Sequence, residues 1–322
     1  EIILESAREC GWNYFFESDP AYHPFTIRFY REEKIIRCRI YIWNLTHGGG
    51  QARPDDEYRI QITGVDRFEK EEGEKVLILG WWDEGEVFAG FDYNHHSDDL
   101  GYSPSFQIRQ EPLRKAYING LAPYFKGNDE IAVAFRQDFF MDYVEDMEKI
   151  HGFGESETDV EILENATENP DNINDEDLNR VTVPERKEIV ATVTRKVRDN
   201  NFRSRVLTAY SQKCAFCGIQ LKLIEAAHVL PVSAEGSPDD TSNGIALCSL
   251  HHKAYDNTLV GFDTDYRIVR NEEIIEKLER KNLVDGLDQF RKNLRAMIIL
   301  PPDVRDRPHV EFVNRANKYR GW

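Results

Sequence analysis

Residues 214–256 read CAFCGIQLKLIEAAHVLPVSAEGSPDDTSNGIALCSLHHKAYD, and the chemistry of the chain is concentrated there. Cys214 and Cys217 form one C-x2-C knuckle, and thirty residues further on Cys248 and His251 form a C-x2-H knuckle. Each short loop can present both of its ligands to one ion, so the two knuckles together predict a tetrahedral zinc site. Four protein ligands leave no position for water, which makes such an ion a structural staple. A small unit with little core of its own has a physical need for one. Three other polar residues stand between and just after the knuckles: His228, Asn243 and His252.

AAHVLP (226–231), NGIALC (243–248) and LHHKAYD (250–256), in that order with the Cys and His pairs interleaved, resemble the HNH (ββα-metal) nuclease motif. The closer likeness is to the zinc-containing, McrA-like type found in predicted bacterial restriction endonucleases, over roughly residues 200 to 262. The resemblance implies roles. His228, near the end of a strand, would be the general base that activates water; imidazole suits that work because it titrates near neutrality. Asn243 would hold the base or the nearby backbone in orientation. As half of an Asn-Gly pair it also predicts a turn. His252 would bind a catalytic divalent ion, Mg2+ or Mn2+, which offsets charge developing on the phosphate and leaving oxygen. His251 goes to zinc because it completes the knuckle, with the reverse assignment as the alternative. In the common pattern an Asp precedes the first His, and here that residue is Ala227. Asp256, four residues after His252 and so on the same helical face, is the candidate replacement ligand, with Glu225 as a second.

Upstream, residues 181–213 carry eight basic residues against three acids, a net of +5. The pattern is helical, with Ile189, Val193 and Val197 on one face and a second helix expected over 202–210. Arg195, Lys196, Arg198 and Arg203 from this stretch, with Lys253, are candidate phosphate contacts. Before it, residues 155–180 hold ten acids and one Arg, a net of −9. Few aromatics and many acids predict an extended, flexible linker over 151–183. Residues 1–150 hold strand-like runs at 25–30, 35–45, 58–63, 76–82, 86–92, 105–109 and 131–136, with helices at both ends and over 113–119. This predicts a β-rich α+β domain, for which a pseudobarrel is one arrangement. Its expected role is recognition of a DNA target. Trp81, Trp82, Phe91, Tyr93, His95, His96 and Arg109 are the candidate reading surface, with burial of the large aromatics as the competing expectation.

Composition bounds the rest. The net charge is −17, unusual for a protein that meets DNA, so local potential must decide where a phosphate backbone docks. No run is long and apolar enough to span a membrane, and the first residues carry no secretory pattern. With five cysteines, three of them in the knuckles, metal ligation in a reducing cytoplasm is expected over a disulfide framework. Cys10 and Cys38 are expected to pack in the core. The reading is therefore α+β: an N-terminal β-rich domain (1–150), an acidic linker (151–183), and a C-terminal zinc-stapled HNH domain with a helical tail (184–322). The implied function is metal-dependent endonuclease action on double-stranded DNA, cytoplasmic, by a homodimer, with sequence or base modification choosing the target. The alternative is a non-catalytic, zinc-stabilised DNA-binding or regulatory protein with a decayed site.

Overall fold

The structure is a computed structural model and describes residues 1–48, 54–181 and 183–321. Part of the stretch between the strand-like runs at 35–45 and 58–63 falls outside those residues. The chain divides into two compact units, Glu1–Val197 and Arg198–Trp322.

The first unit opens with α1 (Ile2–Glu9) and strands β1 (Asn13–Phe16), β2 (Phe25–Arg31), β3 (Lys34–Asn44), β4 (Thr46–His47), β5 (Glu57–Gln61), β6 (Glu74–Trp82), β7 (Val87–Phe91) and β8 (Ser105–Arg109). Then come α2 (Gln110–Asn119), β9 (Leu121–Gly127), β10 (Glu130–Arg136), α3 (Phe140–His151), α4 (Glu157–Glu168) and α5 (Asp175–Arg180). A seven-stranded sheet runs in the order β1-β2-β3-β6-β7-β10-β9, with β3 and β6 parallel. A three-stranded antiparallel sheet runs β4-β5-β8. Alternate residues of the large sheet serve two cores. Cys38, Ile40, Leu77, Leu79 and Phe88 pack with α1, α3 and α4. Tyr41, Ile78, Val87 and Ala89 pack with Ile60, Phe106 and Ile108 of the small sheet and with α2. Because both faces of β6 are covered, its residues read as an unbroken apolar run, Val76 to Leu79.

Two expectations need correction here. Residues 151–183 are not an extended linker: α4 buries Val160, Ile162, Leu163 and Ala166 in the main core of this unit. Net composition hid an apolar stripe at helical spacing. The acids do local work instead of repelling one another. Asp159 is buried against Arg186, with Oδ2 at 2.9 Å from Nη1, and Glu164 and Glu168 meet Lys115 at 2.5 and 2.7 Å. Asn174 and Asp177 form a capping box on α5. Second, the two helices expected over 184–210 are one continuous helix, α6 (Pro184–Ala209). Nothing in 198–202 breaks it, since the stretch holds no Pro or Gly.

The second unit begins in the last turns of α6. It continues through β11 (Ile224–His228), β12 (Gly244–Cys248), α7 (Ser249–Asp256), β13 (Val260–Phe262), β14 (Ile268–Arg270), α8 (Glu272–Glu279), α9 (Leu287–Asn293) and α10 (Val310–Arg320). β11 and β12 pair antiparallel and α7 follows at once, the ββα order expected. Val206, Phe216, Ile245, Leu247, Tyr255 and Phe262 fill the core between hairpin and helices. Gly244, opposite His228 in the ladder, packs directly against α6. A Cβ there would lie 2.1 Å from Val206 Cγ2 and 3.2 Å from Phe202 Cε2. Gly244→Ala is therefore expected to lower the stability of this unit by about 1–3 kcal/mol through overpacking, read as an earlier midpoint in denaturant. An unchanged midpoint would mean α6 yields without cost.

Candidate active site and metal centre

The ligand atoms of Cys214, Cys217, Cys248 and His251 all lie within 4.8 Å of one another. His251 Nδ1 stands 3.5 Å from Cys214 Sγ and 3.2 Å from Cys248 Sγ. A tetrahedral zinc ion with ordinary bond lengths separates a nitrogen and a sulfur ligand by about 3.6 Å. The donor set and its spacing therefore fit Zn2+. Local folding explains the cluster. Gly218 in the left-handed region, φ +83°, turns the first knuckle so that its N–H reaches the Cys214 carbonyl at 2.8 Å. The second knuckle is the step from β12 into α7, which aims Cys248 and His251 inward together. Burial pushes the Cys214 thiol up, but the His251 hydrogen bond and nearby backbone groups outweigh it and hold it at about 6. A thiolate at that position is what a metal needs.

His252, the next residue on α7, faces elsewhere. Its Nδ1 lies 2.5 Å from Glu225 Oε2. Glu225 comes from β11 and also accepts from Ser249 Oγ at 2.9 Å. Burial pushes the Glu225 carboxyl up, yet the bonds from His252 and Ser249 and the nearby Arg203 charge hold it below its ordinary range. On the other edge of the ring, His252 Nε2 lies 3.6 Å from Asp256 Oδ2. In the neutral ring an acceptor carboxylate at Nδ1 leaves the Nε2 lone pair turned toward Asp256. His252 and Asp256 are then the residues that would hold a divalent ion, with Glu225 steering the ring from behind. Ala227 shares a strand face with Glu225, by the two-residue period of β11, and offers no oxygen.

His228 ends β11. Its ring stacks on Phe202 of α6, with centroids 3.9 Å apart and planes at 10°. Its Nε2 lies 2.9 Å from Asp239 Oδ1. Asn243 is fully buried and ties the loop between His228 and β12 to itself. Its Oδ1 accepts from Leu230 N at 2.9 Å, and its Nδ2 donates to Pro238 O at 2.8 Å and Ser237 Oγ at 3.1 Å. The carbonyl of Val229, beside His228, accepts from Arg320 Nη1 at 2.8 Å and from Tyr255 Oη at 3.3 Å.

Residues 214–263 match the family model described as HNH endonuclease. This stretch is an HNH-family domain. Residues 36–144, in the other unit, match a model described as methylase-associated X1. No curated protein matches the chain in sequence. A solved structure entitled "Modification dependent TagI restriction endonuclease" is similar at 12% identity and a TM-score of 0.30, covering 88% of this chain and 80% of that one. At that score too little backbone superposes for the likeness to bear on function.

The matched segment thus contains every residue singled out in the central stretch, and the second unit adds several that the sequence reading missed. Asp239 and Arg320 are the chief ones. Asp239 sat in plain view, in the loop before Asn-Gly, but only folding shows which neighbour it meets. Arg320 lies ninety-two residues from His228 and gave no local signal. The phosphate-contact candidates divide. Arg195, Arg203 and Lys253 are exposed, and Arg198 is half-buried. Lys196 is held by Asp142 at 2.8 Å, and Arg109 by Asp56 at 2.6 Å. Those two make ion pairs within the first unit. The candidate reading surface is also corrected. Trp81, Trp82 and Phe91 are buried core residues, and His96 stacks on Phe106 while bonding Glu130. These three aromatics were recruited for packing, so they offer no face to a base. No helix among the described residues is long and apolar enough to cross a membrane.

Proposed function

We propose that the protein is a metal-dependent DNA endonuclease of the restriction type, in which the HNH domain hydrolyses phosphodiester bonds and the first unit chooses the target. The observation that carries this reading is the ββα hairpin itself. It presents His228, Asn243 and His252 from the matched segment, stapled by a cluster suited to zinc. His228 is the general base. Its ring is fixed by a stack and a carboxylate, and proton abstraction from water needs such a group within hydrogen-bond reach. Asn243 keeps the loop beside the base rigid. A divalent ion, Mg2+ or Mn2+, would be held by His252 and Asp256. When bound it neutralises charge that builds on the phosphate in the transition state. Arg203, exposed on α6 near Glu225, with Lys253 on α7, suits contacts with the nucleic-acid backbone. One such site cuts one strand, so a double-strand break takes two copies or two encounters. The match of residues 36–144 to a methylase-associated model favours a restriction role, in which modification of the target governs cleavage.

Ala227 favours a second reading, a decayed site that binds DNA without cutting it. Asp256 and Glu225, both placed on His252, weigh against decay. A digestion panel separates the two. Plasmids unmodified, cytosine-methylated and adenine-methylated are incubated with the full chain and Mg2+ or Mn2+. Nicking of at least one plasmid is expected, with EDTA abolishing it. If every plasmid stays supercoiled while the protein still retards DNA in a gel, the binding-only reading replaces the catalytic one.

A further inference from the structure

The carboxylate of Asp239 has a stronger claim to a role than its place in a polar loop suggests. Three hydrogen bonds, two of them from Asn243, fix its backbone. Pro238 O is held by the buried Asn243 amide at 2.8 Å. Asp239 O accepts from Arg205 Nη2 at 2.7 Å. Asp240 O accepts from Asn243 N at 2.9 Å. Ser237 Oγ adds a fourth tie, to Leu230 O at 2.8 Å. With residues 238–240 pinned, Oδ1 is aimed at His228 Nε2, 2.9 Å away. The opposite ring face lies flat on Phe202, which stops the imidazole from turning.

We infer that Asp239 is a positioning residue for His228, selecting its tautomer and so deciding which nitrogen acts as the base. An ionised carboxylate can only accept, so Nε2 must carry the hydrogen. Nδ1 then bears the lone pair, and it takes the proton from water. As that proton arrives, the ring becomes an imidazolium whose Nε2–H already points at a negative charge. The carboxylate thus both orients the base and favours its charged product, while staying ionised itself. Asn243 acts at one remove, by keeping Asp239 in place. The inference rests on the general-base role proposed for His228.

The test uses the full chain and five proteins: wild type, Asp239→Asn, Asp239→Ala, His228→Ala and the double variant His228→Ala/Asp239→Ala. Wild-type His228 is expected to show the Nε2–H tautomer in 15N-resolved imidazole spectra, and Asp239→Ala to show a mixture. Plasmid nicking by Asp239→Ala should fall about 10- to 100-fold in kcat, the usual cost of losing such a supporting carboxylate, with KM unchanged. Asp239→Asn, nearly the same shape, guards against a folding artefact and should fall by a similar factor. On the His228→Ala background the Asp239→Ala change should cost nothing further, because its effect passes through the missing ring. An Nδ1–H tautomer in wild type would overturn the inference, as would wild-type kcat in both Asp239 variants. Absence of nicking by wild type, with the Nε2–H tautomer present and lost in Asp239→Ala, would count against the nuclease reading and leave the Asp239–His228 pairing standing.

Discussion

Removal of zinc is expected to unfold residues 198–322. Structural zinc in small domains contributes apparent binding free energies of about 10–16 kcal/mol at neutral pH. A whole domain is typically stable by only about 5–15 kcal/mol. The two magnitudes overlap, so the staple decides whether this unit is folded at all. Cys214, Cys248 and His251 are buried, and without an ion they would leave polar and thiolate groups facing one another out of water. The purified chain should carry one zinc per molecule. Strong chelation, or Cys214→Ser, should remove amide-exchange protection from β11, β12 and α7 while the seven-stranded sheet keeps its own. Unchanged protection of α7 after complete loss of zinc would mean that the core around Tyr255 and Phe262 suffices, and the staple reading would have to be given up.

Replacing His228 by Ala should reduce DNA cleavage by about 10²–10⁴-fold, the range that general-base removal costs. The fold should survive. His228 lies at a strand end and its ring is partly exposed, so the loss is a stack on Phe202 and one hydrogen bond. Binding of DNA should change little, since the exposed cations of α6 and α7 remain. Added imidazole should restore part of the rate by occupying the space over Phe202. Cleavage within threefold of wild type would remove His228 from the chemistry. His252→Ala distinguishes the roles: its defect should deepen at low metal concentration, whereas that of His228→Ala should not depend on metal.

Much of this architecture was legible before any coordinates. The strands of the first unit follow the alternation of residues such as Cys38 and Ile40 with Arg37 and Arg39, because one side of a strand must be dry. The knuckles were legible because metal ligands need fixed short spacings. α4 was not, since ten acids dominate an average that Val160 and Leu163 escape by position alone. Burial of Trp81, Trp82 and Phe91, the competing expectation, held for a related reason. Trp81 and Trp82 look like ligands for a base when only composition is seen, yet the sheet they belong to is covered on both sides. Asp239 and Arg320 lay beyond reach because a contact made by a loop or a distant helix leaves no periodic trace.

His251 and His252 are neighbours on one helical turn, and they serve unlike surroundings: one ring is enclosed by thiols, the other reaches a strand carboxylate. A single peptide unit therefore sets the aim of both. Any drift that rotates this turn to improve one environment worsens the other, so the pair can change only in concert. Cys248, His251 and His252 are therefore bound to one another's fate: a change at one has to be answered at the others.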